Sequence, residues 1–318
     1  MTHPKPLQSS ATVGRIAPSP TGLMHVGNAR TALLAWLSAR KQHGRVILRI
    51  EDIDTPRVDT QATGFLLEDL SRLGLDWDSG PWLQTERLNR YNDALVRLAE
   101  RQATFLCSCS RADLTRAASA PHAPDEGPRY PGTCRPKTPD HVALGAVRAG
   151  KLAALRFRGS QQVCFQDGLV GRAEQTVDDF VLRRADGLHS YQLAVVVDDA
   201  EMGVTEVVRA DDLLSSTGRQ IALHQALGFC PPLFVHVPLV VSVDGERLAK
   251  RNRPQSVRDL FSGGVDPRAL VGALAASAGL CPQGTRASPH ELVAAFDWAK
   301  VRRTPVVIDP VTLQSHEV

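Results

Sequence analysis

The run Arg15-Ile-Ala-Pro-Ser-Pro-Thr-Gly22 constrains this chain more than any other segment. Two prolines and a glycine within five residues can continue neither a strand nor a helix interior. Thr12 to Ala17 therefore reads as a short strand that must stop at Pro18. From His25 the apolar residues Val26, Ala29, Leu33 and Leu37 recur every three to four positions, the period of a helix. The pattern runs to Arg40, and Gly44 is a natural stop. Val46 to Ile50 reads as a second strand that ends in Glu51-Asp52-Ile53-Asp54. Thr63 to Leu73 and Leu88 to Arg101 have helical spacing. Strand alternating with helix is the signature of a parallel α/β sheet.

Phe105 to Pro139 breaks that alternation. The segment is rich in Pro, Ala, Ser and Arg and holds Cys107, Cys109 and Cys134, so it reads as an insertion. Short strands are expected at 155–158, 163–166, 180–183 and 205–210, with a helix over 213–227. Gln192 to Asp199 is apolar and then acidic. A strand over 235–243 leads into a polar loop, 244–252. Helical patches follow at 257–262, 267–280 and 289–296. The expected divisions are a first half of the α/β domain at 1–104, a basic insertion at 105–160, a second half at 161–255 and a short helical tail at 256–318.

Apolar residues make up 43% of the 318 and charged residues 22%, which excludes a disordered chain. No apolar run is long enough to span a membrane, and the polar N-terminus has no export signal. Six cysteines are too few for a disulfide scaffold. A soluble cytoplasmic monomer is the expectation. The net charge of +3 is unevenly spread: residues 101–160 hold 10 basic and 4 acidic residues, whereas 161–243 hold 5 and 11. A concentrated basic segment is the footprint of a polyanionic partner or, more plainly, a solvated surface.

The sequence has no G-x-x-x-x-G-K-[ST] loop and no G-x-G-x-x-G after a strand. A phosphate site can still form where the first strand meets a helix N-terminus. At that junction Arg15, Ser19, His25, Gly27 and Asn28 converge, with Gly27 permitting close approach to the backbone. The plain alternative is a turn capped by Thr21 with a solvated histidine.

Taken in order, these blocks resemble the class I aminoacyl-tRNA synthetases of the glutamyl and glutaminyl group. Arg15 to Gly22 followed by His25-Val-Gly-Asn28 is similar to the group's first signature, with Asn28 where a second histidine is usual. Glu51-Asp-Ile-Asp-Thr-Pro-Arg57, Tyr191 to Asp199 and Gly203 to Arg209 match later blocks. Arg247-Leu-Ala-Lys250-Arg251 stands where the group has Lys-Met-Ser-Lys-Ser, and only Lys250 is kept in type. The resemblance implies a Rossmann-type catalytic domain that uses ATP and Mg²⁺. It implies His25 and Lys250 as catalytic residues, with Gly27 and Asn28 also on the nucleotide. It places the glutamate against Arg15, Ala17, Ser19, Glu51, Tyr191 and Arg209, Glu51 receiving the amino group.

Cys107-Ser-Cys109 and Tyr130-Pro-Gly-Thr-Cys134 offer three thiols and a phenol, a set that suits tetrahedral zinc. His122 and His141 lie close enough to replace Tyr130, and three unliganded thiols on a loop are the plain alternative. Here the chain resembles the glutamyl-Q tRNA(Asp) synthetases. That resemblance implies one structural zinc, and transfer of glutamate to queuosine in the anticodon stem-loop of tRNA(Asp). The alternatives are a truncated glutamyl-tRNA synthetase acting on a 3′ end and a non-catalytic RNA-binding paralogue. Cys164, Cys230 and Cys281 stand in apolar surroundings and read as core.

Overall fold

The computed structural model describes residues 11–110, 112–113, 130–136, 147–148, 151–242, 256–309 and 312–317. The strands, in chain order, begin with β1 (Val13–Ile16), β2 (Arg45–Ile50), β3 (Ser79–Leu83), β4 (Thr104–Cys107), β5 (Val147–Arg148), β6 (Lys151–Leu152) and β7 (Ala154–Phe157). They continue with β8 (Gln162–Asp167), β9 (Gly171–Thr176), β10 (Phe180–Arg183), β11 (Glu206–Ala210), β12 (Leu233–Val237), β13 (Val240–Val241), β14 (Val306–Ile308) and β15 (Ser315–Glu317). The helices are α1 (Val26–Lys41), α2 (Ala62–Arg72), α3 (Leu88–Glu100), α4 (Tyr191–Glu201), α5 (Thr217–Leu227), α6 (Val257–Ser262), α7 (Pro267–Ser277) and α8 (Pro289–Leu292).

The centre is parallel. β1, β2 and β3 pair side by side, with Arg15 opposite Ile47, and β11 pairs with β12. The N–H of Thr205, just before β11, donates to the carbonyl of Val13 at 2.9 Å, so β11 begins alongside β1. β2 shows why the centre is buried: five of its six residues, Val46 to Ile50, are enclosed, as expected of a parallel strand covered on both faces. α1 crosses over the sheet and is buried along most of its length, from Val26 through Leu33, Trp36 and Leu37 to Ala39.

β4, β7 and β10 form a separate antiparallel sheet, and β8 and β9 form a hairpin. The parallel expectation therefore covers only part of the strands. β4 and β7 both fall within the 105–160 segment expected as an insertion, Thr104 apart, and the antiparallel pairing of β7 with β10 ties that segment to the following part of the chain. β3 escaped notice because Gly80 and Pro81 interrupt it, and β9 because it is almost wholly polar. Gln192 to Asp199 is helical, within α4.

Among the described residues two large apolar cores form, beside a small cluster of Phe105, Cys107, Tyr130 and Cys134. One joins α1, β1 and β2 to the tail helices; the other gathers α3, α4 and α5 with β7 and β10. Arg30 on α1, buried, ties the tail in by donating to Ser277 Oγ at 3.1 Å and to the Pro238 carbonyl at 2.7 Å. No helix among the described residues is long and apolar enough to cross a membrane. Cys164 and Cys230 are exposed, which corrects their reading as core, whereas Cys281 is half-buried and packs against the first core. Cys164 falls on the outward face of β8, where inward and outward residues alternate.

Candidate active site

His25 is the N-cap of α1. Its Nδ1 accepts from the backbone N–H of Gly27 at 3.1 Å and of Asn28 at 3.3 Å. The imidazole thus does what a serine or aspartate side chain does at most helix starts. Thr21 does not cap this helix. Because Nδ1 accepts, the proton of the neutral ring sits on Nε2. Burial lowers the His25 pKa, only partly offset by Asp212, and keeps the ring neutral at physiological pH. A Cβ on Gly27 would lie 3.0 Å from two atoms of the His25 ring. The group that approaches Gly27 closely is therefore the histidine itself.

A cavity of about 920 Å³ opens in front of this turn. Arg15, Ala17, Ser19, His25, Asn28, Glu51, Tyr191 and Arg209 all line it. Glu51 follows β2 directly and Arg209 is next to last in β11, so both stand at strand C-termini. Open parallel sheets bind ligands at that edge.

The charges are arranged in two poles. Arg49, fully buried in β2, donates to Glu51 Oε1 at 3.1 Å and to Asp199 Oδ1 at 2.7 Å. Arg15 Nε lies 3.8 Å from the same Asp199 oxygen. Burial pushes the Glu51 carboxyl up, and Arg49 and Arg15 only partly pull it back. A cationic ligand beside it would relieve that cost. The cationic pole is Arg209. It donates through Nε to His236 Nε2 at 2.9 Å, through Nη1 to Gln220 Oε1 at 2.7 Å and through Nη2 to Thr217 Oγ1 at 2.9 Å. Its guanidinium carbon lies 5.0 Å from the Phe234 ring centre. Burial raises the Tyr191 pKa, and Glu51 raises it further, so the phenol stays neutral.

Residues 11–309 match the family described as tRNA synthetases class I (E and Q), catalytic domain. The chain belongs to this family. It is 47% identical over 313 residues to the glutamyl-Q tRNA(Asp) synthetase of Symbiobacterium thermophilum, spanning 94% of this chain and 97% of that one. The glutamyl-Q tRNA(Asp) synthetase of Nocardia farcinica is 46% identical, with 96% of each chain covered. Glutamate–tRNA ligase 2 of Halorhodospira halophila is 40% identical, but the match spans only 64% of its length. A crystal structure of a glutamate tRNA ligase from Elizabethkingia meningosepticum in complex with its amino acid has a TM-score of 0.77 at 23% identity. It covers 96% of this chain and 68% of that one, a likeness of fold.

Of the residues expected for a class I synthetase site, the cavity gathers all but two. Gly27 serves the His25 cap and does not line the cavity. Lys250 lies outside the described residues, as do Arg247, His122 and His141. Both described ends of its segment return to this site, however. Ser256 bridges to His25, the Val257 N–H donates to the Met24 carbonyl at 2.7 Å, and Val240 packs beside Gly27.

Apart from the cavity, three cysteines form a cluster. The sulfurs of Cys107, Cys109 and Cys134 all lie within 4.8 Å of one another, those of Cys109 and Cys134 at 3.6 Å. Tetrahedral zinc with Zn–S bonds of about 2.3 Å spaces its sulfurs about 3.8 Å apart, so the donor set fits. Burial pushes the Cys134 thiol up, but hydrogen bonds from the Ser108 backbone, Cys109 and Tyr130 outweigh it and bring it to about 7. The Tyr130 hydroxyl accepts from the Cys134 N–H at 2.6 Å and so sits within the cluster.

Arg49, Asp167, Asp199, Thr217, Gln220 and His236 were not anticipated. For Arg49 and His236 the available signal was a lone charged or polar residue inside an apolar strand run, Val-Ile-Leu-Arg49-Ile and Leu-Phe-Val-His236-Val.

Proposed function

We propose that the chain activates glutamate with ATP and transfers the glutamyl group to queuosine in tRNA(Asp). The observation that carries this reading is that Glu51 and Arg209 line one cavity beside the His25-capped helix start. Two poles of opposite sign suit an amino acid with a charged side chain: its ammonium beside Glu51, its side-chain carboxylate on Arg209 and Arg15. Ser19, Tyr191 and the Ala17 backbone complete the pocket.

The reaction needs no general base, because a carboxylate is already the nucleophile. It attacks the α-phosphorus of ATP, and pyrophosphate leaves. The protein's part is to hold the reactants in line and offset developing charge. His25 contributes an Nε2–H donor at the positive end of the α1 dipole. The two backbone donors on Nδ1 polarise the ring and strengthen that donor. Asn28 offers its side-chain amide. Lys250 supplies a positive charge, on a segment whose C-terminal flank, Ser256, bridges to His25. Mg²⁺, accompanying ATP, neutralises phosphate charge.

Cys107, Cys109, Cys134 and Tyr130 would hold one zinc ion, which fixes the 130–136 segment to the end of β4. Basic residues of 101–160 would contact the phosphates of the anticodon stem-loop, in a cytoplasmic enzyme acting as a monomer. ATP–pyrophosphate exchange tests the activation step. Glutamate should support exchange and glutamine should not; exchange with neither would end the proposal.

A further inference from the structure

Arg209 is held by a buried relay that starts outside the cavity. Arg209 on β11 and His236 on β12 are register partners on adjacent parallel strands. His236 Nδ1 lies 2.6 Å from Asp167 Oδ2, and both side chains are completely enclosed. The other oxygen, Asp167 Oδ1, accepts from the backbone N–H groups of Leu169 at 2.9 Å, Val170 at 2.9 Å and His236 at 3.2 Å.

These contacts fix every proton. A carboxylate only accepts, so Nδ1 of His236 carries hydrogen, and burial, which lowers the pKa of the ring and favours its neutral form, leaves Nε2 bare. Bare Nε2 is what the Nε–H of Arg209 requires at 2.9 Å. With Nε pinned, and Gln220 and Thr217 taking one donor from each terminal nitrogen, the guanidinium plane has one orientation. We infer that Asp167 is a positioning residue: it sets the tautomer of His236, and through it the aim of Arg209 at the substrate's carboxylate. This rests on the proposed role of Arg209 in holding glutamate.

Asp167→Asn separates the relay from mere support of the turn. Three backbone donors converge on Oδ1, so the amide oxygen of asparagine takes that place and its NH₂ faces His236. The ring must then accept at Nδ1 and carry its proton on Nε2. That proton meets the Nε–H of Arg209, donor against donor, and its other neighbour, Thr217 Oγ1 at 3.2 Å, already accepts from Arg209 Nη2. The turn is kept and the aim is lost.

The measurement is twofold. Nitrogen-15 NMR of the histidine rings should show the Nδ1–H tautomer for His236 in the wild type and the Nε2–H tautomer in Asp167→Asn. In ATP–pyrophosphate exchange the variant should raise KM for glutamate roughly 10- to 100-fold, the range for losing a charge-assisted hydrogen bond. Its kcat and its KM for ATP should change little. In a His236→Phe background the same substitution should add nothing, because the two residues act as one unit. Wild-type kinetics for Asp167→Asn, an Nε2–H tautomer in the wild type, or full additivity would each overturn the relay. The expected tautomers combined with no glutamate-dependent exchange in the wild type would overturn the inference by way of the functional reading, leaving the proton arrangement intact.

Discussion

The Nδ1 atom of His25 accepts the backbone N–H of Gly27 at 3.1 Å, so the residue that faces the cavity is also the cap of the helix behind it. Replacement by asparagine, itself a good N-cap, should hold stability within about 1 kcal/mol. Activation should nevertheless fall by about two to three orders of magnitude, as when a transition-state donor is removed. Thermal unfolding and pyrophosphate exchange on the same sample check both halves. An unchanged exchange rate would mean that the imidazole does not act on the phosphates.

Arg49 lies within 3.7 Å of three carboxylates, those of Glu51, Asp198 and Asp199, with no solvent access. Arg49→Met should leave three enclosed like charges and cost about 3–5 kcal/mol. Urea unfolding reads this directly. A loss below 1 kcal/mol would show that the carboxyls take up protons at little cost.

Burial depresses His224 on α5 from 6.5 to about 4. Its Nδ1 has no hydrogen-bond partner among the described residues. The unfolded chain therefore binds the proton first. The neutral ring's contribution is complete above pH 6.5 and is lost as pH falls toward 4. Between pH 7 and pH 5 the wild type should lose about 2 kcal/mol more stability than His224→Phe. Parallel slopes for the two proteins would contradict this.

For the metal, elemental analysis should find one zinc per chain, and Cys109→Ser should lose it, since a serine hydroxyl replaces thiolate poorly. The Cys109 and Cys134 sulfurs, at 3.6 Å, already have the spacing of a shared ion. Metal-free protein from a careful preparation would refute the site.

The sequence announced this site unevenly. β1, the Pro-Gly turn and α1 were legible because proline, glycine and a clean helical period leave one reading, and helix boundaries at 26–41 follow within a residue or two. Glu51 and Arg209 were legible as polar residues closing apolar strands. Their partners were not. Asp167 and His236 are 69 residues apart and meet only because β12 brings His236 to the end of β8. Likewise the exposure of Cys164 depends on which face of β8 is covered, and the hairpin partner β9 carries no apolar pattern to show it. Local chemistry was readable; pairing across strands was not.

The central claim is the acceptor, and the direct measurement is charging of tRNA(Asp) prepared with and without queuosine, using labelled glutamate, followed by nuclease fragmentation. Label should appear only on queuosine-containing tRNA and only in the anticodon fragment. High salt should weaken binding, since phosphate contacts orient an RNA without identifying it, yet leave that discrimination intact. Label on the 3′-terminal fragment, or equal charging of unmodified tRNA(Asp), would contradict the account and assign the activity to ordinary 3′ aminoacylation.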